Sequence, residues 1–389
     1  MVTMIAPFEF ATAQQIVFGT GTAQEIGKRA AQLGSRGLVV TGQRSDRVLH
    51  LLQAWETQGL TAATYAVDSE PTVAAVLEGV KTARGAGCDL VIGVGGGSAV
   101  DMGKAIAALL TNPGEPLDYL EVVGKGQTLT EPSAPMIAVP TTAGTGAEVT
   151  RNAVLAVPQQ RVKVSLRSAT MLPRLAVVDP ELTYSMPPAV TASTGLDALT
   201  QCIEPFVSNQ ANPLTDAVAR EGIPRAARSL RRAYANGEDA EARQEMALAS
   251  LFGGLALANA KLGAVHGFAG VLGGMFPIPH GIVCARLLPY VMAMNVAALQ
   301  RRGDPAGQLA RFDEVARLVT GENTARAADG VAWIQELAAD LQVAPLREFG
   351  VAEGDFAEVI AKSKVASSMK GNPLVLSDDE LAEILAQAL

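Results

Sequence analysis

Three side chains in this chain are of types that hold a divalent metal ion and could be gathered by a fold: Asp197, His266 and His280. Histidine is scarce, with three in 389 residues, and two of them fall in one segment, GAVHGFAGVLGGMFPIPHGIVCARLLP, from Gly263 to Pro289. His266 and His280 are fourteen residues apart with Gly273, Gly274, Pro277 and Pro279 between them. The backbone must therefore turn and can bring both imidazoles to one point. Two satisfied core histidines would look the same, and the discriminating residues lie upstream. In TASTGLDALTQCIEPFVS, Asp197 and Gln201 stand at i and i+4 on one helical face, and Asp197 is a carboxylate in an otherwise apolar helix. One carboxylate and two imidazoles suit divalent iron, zinc or a similar ion, and three such ligands leave a position for a substrate oxygen.

A second chemistry is phosphate binding. Gly95, Gly96, Gly97 and Ser98 follow the apolar run DLVIGV and open AVDMGKAIAALL, with Asp101 in the first helical turn. Glycines let the backbone approach a pyrophosphate without Cβ clashes, and a helix N-terminus favours the anion. An ordinary strand-to-helix turn would need only one glycine. PTTAGTGAE, after the apolar run MIAV, adds the hydroxyls of Thr141, Thr142 and Thr145 at the carboxyl end of a strand, where such sheets bind ligands. Lys163 can reach the same cleft or be solvated on its hairpin. GTGTAQEIG at Gly19 resembles half a dinucleotide fingerprint but lacks the third glycine at the right place, and it is expected to be a tight turn.

The elements that must position these residues are legible in outline. Strands are expected within 8–18, then over 37–41, 62–67, 89–94, 136–139 and 175–178, with helices over 23–33, 47–58, 73–84 and 99–110 and a hairpin over 154–166. Short continuous apolar runs alternating with helices predict βαβ units and a parallel sheet covered on both faces. From Pro188 the strand-like runs stop and helical patterns follow over 191–207, 214–236, 240–260, 311–318, 330–341 and 379–389. The expectation is an α/β dinucleotide-binding domain over 1–185 and an all-helical metal-binding, catalytic domain over 186–389, the two sharing a cleft.

Composition narrows the partners. A net charge of −8 and a pI near 5.1 argue against nucleic-acid or anionic-membrane partners, which need basic patches, and leave small molecules. Cys88, Cys202 and Cys284 are far apart in apolar runs, as expected of reduced thiols in a cytoplasmic protein. The apolar region from Leu251 to Met294 is interrupted by Lys261, His266, His280, Arg286 and prolines, which predicts a buried helical core rather than a membrane span.

GGGSAVDMGKAIA, PTTAGTGAEVT, VVDPELTYSMPP, TGLDALTQCIEPFVS and GAVHGFAGVLGGMFPIPHG together resemble, in order, the motifs of the iron-containing (group III) alcohol dehydrogenase family. The resemblance implies a dehydroquinate-synthase-like fold and NAD(P)-dependent interconversion of an alcohol and an aldehyde or ketone, with a metal polarising the substrate oxygen. It implies pyrophosphate contacts at Gly95, Gly96, Gly97 and Ser98, and places Thr141, Thr142 and Thr145 near the phosphates and nicotinamide. Metal-ligand positions fall on Asp197, Gln201, His266 and His280, and a homodimer is implied, formed through the N-terminal strands.

The departures from that pattern are informative. The second ligand position, usually histidine, is Gln201, whose neutral amide oxygen is a weaker ligand for iron or zinc than imidazole. A further family histidine is Gly270, and Lys261 stands where a small residue is usual. Lys261 could supply positive charge at the substrate oxygen in a metal-independent carbonyl reductase of the maleylacetate reductase type, or pair with Glu204, or face solvent. Decay of the site to a non-catalytic nucleotide-binding protein is a further reading. After GLVVT the family's acidic ribose-binding residue is replaced by Gly42, followed by Gln43 and Arg44. NADP then meets no carboxylate, and Arg44 could pair with its 2′-phosphate.

Overall fold

The structure is a computed structural model that describes residues 6–43, 48–67 and 70–389. The chain divides into two units. One comprises Thr12–Thr142 and Gly146–Tyr184; the other comprises Ser185–Leu389 with Ala143–Thr145 and the N-terminal stretch ending at Ala11.

The first unit is α/β. Its strands are β1 (Gln15–Phe18), β2 (Arg36–Gly42), β3 (Thr61–Val67), β4 (Leu90–Gly95), β5 (Met136–Pro140), β6 (Asn152–Val157), β7 (Val162–Arg167) and β8 (Leu175–Val178). Its helices are α1 (Ile26–Ala30), α2 (Leu49–Thr57), α3 (Val73–Gly85), α4 (Gly97–Thr111) and the single turn α5 (Pro116–Tyr119). Six strands form one sheet in the order β1-β8-β5-β4-β2-β3, and every pairing in it is parallel. Burial on both faces explains the unbroken apolar runs. Leu38, Val40 and Val91 point into one core, whereas their neighbours Val39, Leu90 and Ile92 point into another. From β2 the chain crosses to β3 on one side, and from β4 to β5 on the other. The carboxyl ends of β2 and β4, at Gly42 and Gly95, therefore flank the switch point where open α/β sheets bind ligands. β6 and β7 pair as the antiparallel hairpin the sequence predicts.

Two differences in this unit have local causes. Within 8–18 only Gln15–Phe18 is a strand, because only these residues find a partner in β8; Ala11 instead exchanges hydrogen bonds with the Asn259 side chain. The helix expected over 23–33 is a 3₁₀ turn, Thr22–Glu25, followed by α1. The Ala23 carbonyl accepts from Trp55 Nε1 at 2.7 Å, and its amide donates to Asp179 Oδ2 at 3.0 Å, so side chains compete with a regular helical ladder there. The GTGT turn is tight, with Gly21 at φ 76°.

The second unit is helical: α6 (Pro188–Val207), α7 (Pro213–Ala235), α8 (Ala240–Asn259), α9 (Ala264–Met275), α10 (His280–Arg302), α11 (Gln308–Thr320), α12 (Ala327–Asp340), α13 (Phe356–Val365) and α14 (Asp378–Ala388). α13 carries too thin an apolar stripe to be seen in the sequence, with only Val359, Ile360 and Ser363 buried. Gly273 and Gly274 lie inside α9 rather than in the turn. The turn is made at 276–279, where Phe276 and Pro279 are the flanking caps. α10 is long and apolar enough to cross a membrane, yet it is mostly buried among the other helices, with Val283, Leu287, Val291 and Leu299 in one core.

Candidate metal and cofactor sites

α6 places Asp197, Gln201 and Glu204 at i, i+4 and i+7, one stripe on one face, and all three are buried. α9 presents His266 from its first turn, and α10 begins at His280 and carries Cys284 one turn later. The fold brings one ligand atom each from Asp197, His266, His280 and Cys284 within 4.8 Å of one another. Asp197 Oδ1 lies 3.3 Å from His266 Nε2 and 3.9 Å from His280 Nε2. Cys284 Sγ lies 3.7 Å from His266 Nε2 and 3.6 Å from His280 Nε2. The two imidazole centroids are 5.5 Å apart.

His266 is oriented from behind. Its Nδ1 is 2.7 Å from Glu204 Oε2, so the ring donates there and turns Nε2 toward Asp197. A carboxylate behind a ligating histidine fixes tautomer and ring angle in this way. Glu204 Oε1 accepts from the Val265 amide at 2.7 Å, and Asn372 Oδ1 accepts from the Ala264 amide at 3.2 Å. Two unsatisfied donors at the start of α9 are thereby capped from outside the helix. Gly263 makes room for this: a Cβ there would lie 2.7 Å from Glu204 Oε1. Sequence reasoning weighed Glu204 only as a partner for Lys261. The signal available was its i+7 spacing from Asp197, and for Cys284 its i+4 spacing from His280.

The electrostatics ask for a cation. Burial alone would raise the Asp197 carboxyl, but the adjacent imidazoles outweigh it and hold that group below the usual carboxylate range. Burial would likewise lower His266, yet Cys284, Asp197 and Glu204 hold it well above its ordinary value. Burial, then the Asp197 charge, pushes the Cys284 thiol up to about 12. Asp197 Oδ1 is met by the imidazoles of His266 and His280, and Gln201 Oε1 is buried without a hydrogen-bond partner among the described residues. Buried acceptors are rarely left so, and an unseen ion is one of the ordinary reasons. The donor set therefore fits a divalent metal.

Lys261, in the connector between α8 and α9, is exposed, and its Cβ lies against Gly371. It does not share Glu204, whose oxygens are engaged by Val265 and His266. His280 is the partly open member of the cluster, with 39% of its side chain exposed.

In the α/β unit, Gly95 has φ 155°, and a Cβ there would sit 2.7 Å from the Ala99 Cβ. Gly96 caps α4 without a side chain, and its Cα faces the Thr142 methyl at 3.4 Å from where a Cβ would stand. Gly97 and Ser98 form the first helical turn, whose amides precede the i→i−4 ladder. The Thr141 amide is tied to the Gly95 carbonyl at 2.9 Å, so the glycine turn and the threonine loop meet at one strand end. Thr145 groups with the helical unit instead. Asp101 and Lys163 are engaged elsewhere. Asp101 accepts from the Val154 amide at 2.9 Å and pairs with the buried Lys104 at 2.8 Å, and Lys163 pairs with Glu70. Gly42 ends β2 with open space where its Cβ would be, and Arg44 lies outside the described residues.

Comparison with known proteins shows the family. A family model for iron-containing alcohol dehydrogenase matches residues 13–180, and one for the C-terminal region of the Fe-containing alcohol dehydrogenase family matches 191–389. The chain is 36% identical to 1,3-propanediol dehydrogenase of Klebsiella pneumoniae over 98% of each chain. A crystal structure of 1,3-propanediol oxidoreductase superposes with a TM-score of 0.91 at 35% identity, covering 99% of this chain and 100% of that one. Sulfoacetaldehyde reductase of Bifidobacterium kashiwanohense, solved in complex with NAD+, gives 0.87 at 30% identity, covering 98% and 99%. The chain belongs to the iron-containing alcohol dehydrogenase family.

Proposed function

We propose that the protein is a nicotinamide-dependent oxidoreductase that interconverts a small alcohol with its aldehyde or ketone. The observation that carries the reading is the cluster of Asp197, His266 and His280, the first two buried and His280 partly open, with His266 turned into the cluster by Glu204. Asp197, His266 and His280 would hold a divalent ion, with Gln201 as a further contact, and when bound that ion supplies Lewis-acid polarisation of the substrate oxygen. A nicotinamide dinucleotide supplies the hydride carrier. Gly95, Gly96, Gly97 and Ser98 bind its phosphates through backbone amides, and Thr141, Thr142 and Thr145 orient it with hydroxyls. Asp101 and Lys163 act indirectly in this reading, by fixing α4 and the β6–β7 hairpin beneath the turn. Glu204 holds the proton at His266 Nδ1, which leaves Nε2 as the nitrogen that would give up its proton to face the ion.

Gly42 offers no carboxylate to repel a 2′-phosphate, which supports acceptance of NADP beside NAD; Arg44 is the cationic candidate there. β1 is an edge strand of the sheet, which supports pairing of two copies as a homodimer, and light scattering on the purified protein tests it. The free, buried thiols of Cys88, Cys202 and Cys284 support a cytoplasmic place.

The test is carbonyl-dependent oxidation of NADH and NADPH, with 3-hydroxypropanal among the substrates, before and after exhaustive chelation and with Fe²⁺ or Zn²⁺ restored. Activity should vanish on chelation and return with one metal. Full activity in metal-free protein would overturn the metal-assisted reading, favour a metal-independent reductase and make Lys261→Ala the next variant. Dinucleotide binding without turnover across an alcohol and aldehyde panel would indicate a pseudoenzyme.

A further inference from the structure

We propose that Cys284 is a metal ligand, its thiolate completing a donor set that Gln201 leaves one imidazole short and tilting the site toward zinc over iron. This rests on the reading of Asp197, His266 and His280 as a metal site, and it concerns which side chain fills the fourth place.

Cys284 is one helical turn after His280, so its side chain lies over the same face of α10. A tetrahedral zinc has bonds of about 2.0–2.1 Å to nitrogen or oxygen and about 2.3 Å to sulfur, which puts neighbouring N and O ligand atoms about 3.3 Å apart and N and S about 3.6 Å apart. The structure has 3.3 and 3.9 Å for the two N–O separations and 3.7 and 3.6 Å for the two N–S separations. Sγ thus stands where a ligand would, not merely in van der Waals range of one ring. Independently, the buried and unpartnered oxygen of Gln201, one helical turn from Asp197, points to a missing cation.

The chemistry favours sulfur over the amide. Gln201 can offer only a neutral carbonyl oxygen, whereas a thiolate brings charge and a softer donor that suits zinc. On binding, the Sγ–H bond breaks, the proton leaves to solvent and the S–metal bond forms with no change of oxidation state. Carboxylate and thiolate together then neutralise the 2+ ion inside the helical core, where an uncompensated charge is costly.

The test is titration of chelated, full-length protein with Co²⁺, a spectroscopic stand-in for zinc. The wild type should develop a thiolate-to-cobalt charge-transfer band in the near ultraviolet, and Cys284→Ser should bind cobalt without it. Zinc affinity, measured against a chromophoric chelator, should fall at least about tenfold in both Cys284→Ser and Cys284→Ala, since loss of a mere supporting contact already costs that much. It should fall less in Gln201→Ala, and the zinc-to-iron affinity ratio should drop in Cys284→Ser. Cobalt uptake with no charge-transfer band and unchanged affinity in Cys284→Ser would make Cys284 a core thiol and overturn the proposal while the metal site stands. A larger loss in Gln201→Ala than in Cys284→Ser would overturn it too. Failure of the wild type to bind any ion would instead remove the metal reading itself.

Discussion

At the scale of single residues, the site depends on a carboxylate that touches no reacting atom. Glu204 serves two donors at once, the Val265 amide and His266 Nδ1. Glutamine at this position has one acceptor oxygen where the two donors now use two, and it turns an NH2 group toward one of them. Glu204→Gln is therefore expected to let the His266 ring rotate or change tautomer and to weaken zinc binding by about 10–100-fold. Chelator competition measures this, and wild-type affinity in the variant would show that His266 needs no orienting partner. Asp197, Gln201 and Glu204 share a helical face that the sequence displays, but the face alone does not say which imidazole Glu204 meets. That pairing spans 62 residues and depends on how α9 approaches α6.

At the scale of elements, the β4–α4 junction shows why glycine recurs there. Gly95 combines φ 155° with a Cβ site only 2.7 Å from the Ala99 methyl, so a side chain meets both backbone strain and a clash with the helix it precedes. Gly95→Ala should cost on the order of 1–3 kcal/mol in strain, lowering the melting temperature and weakening NADH binding together. Fluorescence titration and thermal unfolding read the two effects. A variant that melts lower but binds NADH as the wild type does would separate the turn from the phosphate site. The sequence marked this turn plainly, because a glycine run between an apolar strand and a helix has few other uses. It did not mark α4's internal support. Lys104 is wholly buried and donates to the Ala147 and Asn152 carbonyls and to Thr150 Oγ1 while pairing with Asp101. From sequence, Asp101 stands as a candidate for the cofactor site, and nothing local shows that Lys104 is buried beside it.

At the scale of the whole molecule, one buried acid should shape stability against pH. Glu148 is 2% exposed, and burial, only partly offset by a backbone amide and by Lys104, raises its carboxyl to about 7 from an ordinary 4.5. Between those values the unfolded chain has lost a proton that the folded chain keeps, so stability falls as pH rises through this window and levels off above it. Raising pH across the window removes roughly 3 kcal/mol of stability. Glu148→Gln abolishes that loss: its melting temperature should exceed the wild type's at pH 8 and approach it near pH 4.5. Melting temperatures suit this comparison, since two units need not unfold in one step. Equal pH profiles for the two proteins would mean that Glu148 ionises in the fold without penalty.

The parallel sheet, the glycine turn at its switch point and the helical character of everything after Pro188 were determined by the sequence itself. Each rests on local patterning: continuous apolar runs where both faces are buried, glycines where backbone must come close, and a 3.6-residue period where one helical face packs. The same locality let Asp197, His266 and His280 stand out, through rarity and through a charge set in an apolar helix. Only the tertiary structure decided what surrounds them. Cys284 reads as one more core residue until α10 sets its sulfur 3.6–3.7 Å from both imidazoles, and Lys261 reads as a neighbour of His266 until its connector leaves it exposed. Distances between side chains on different helices follow from how the helices cross and rotate, and that is fixed by the packing of the whole helical core rather than by any one segment.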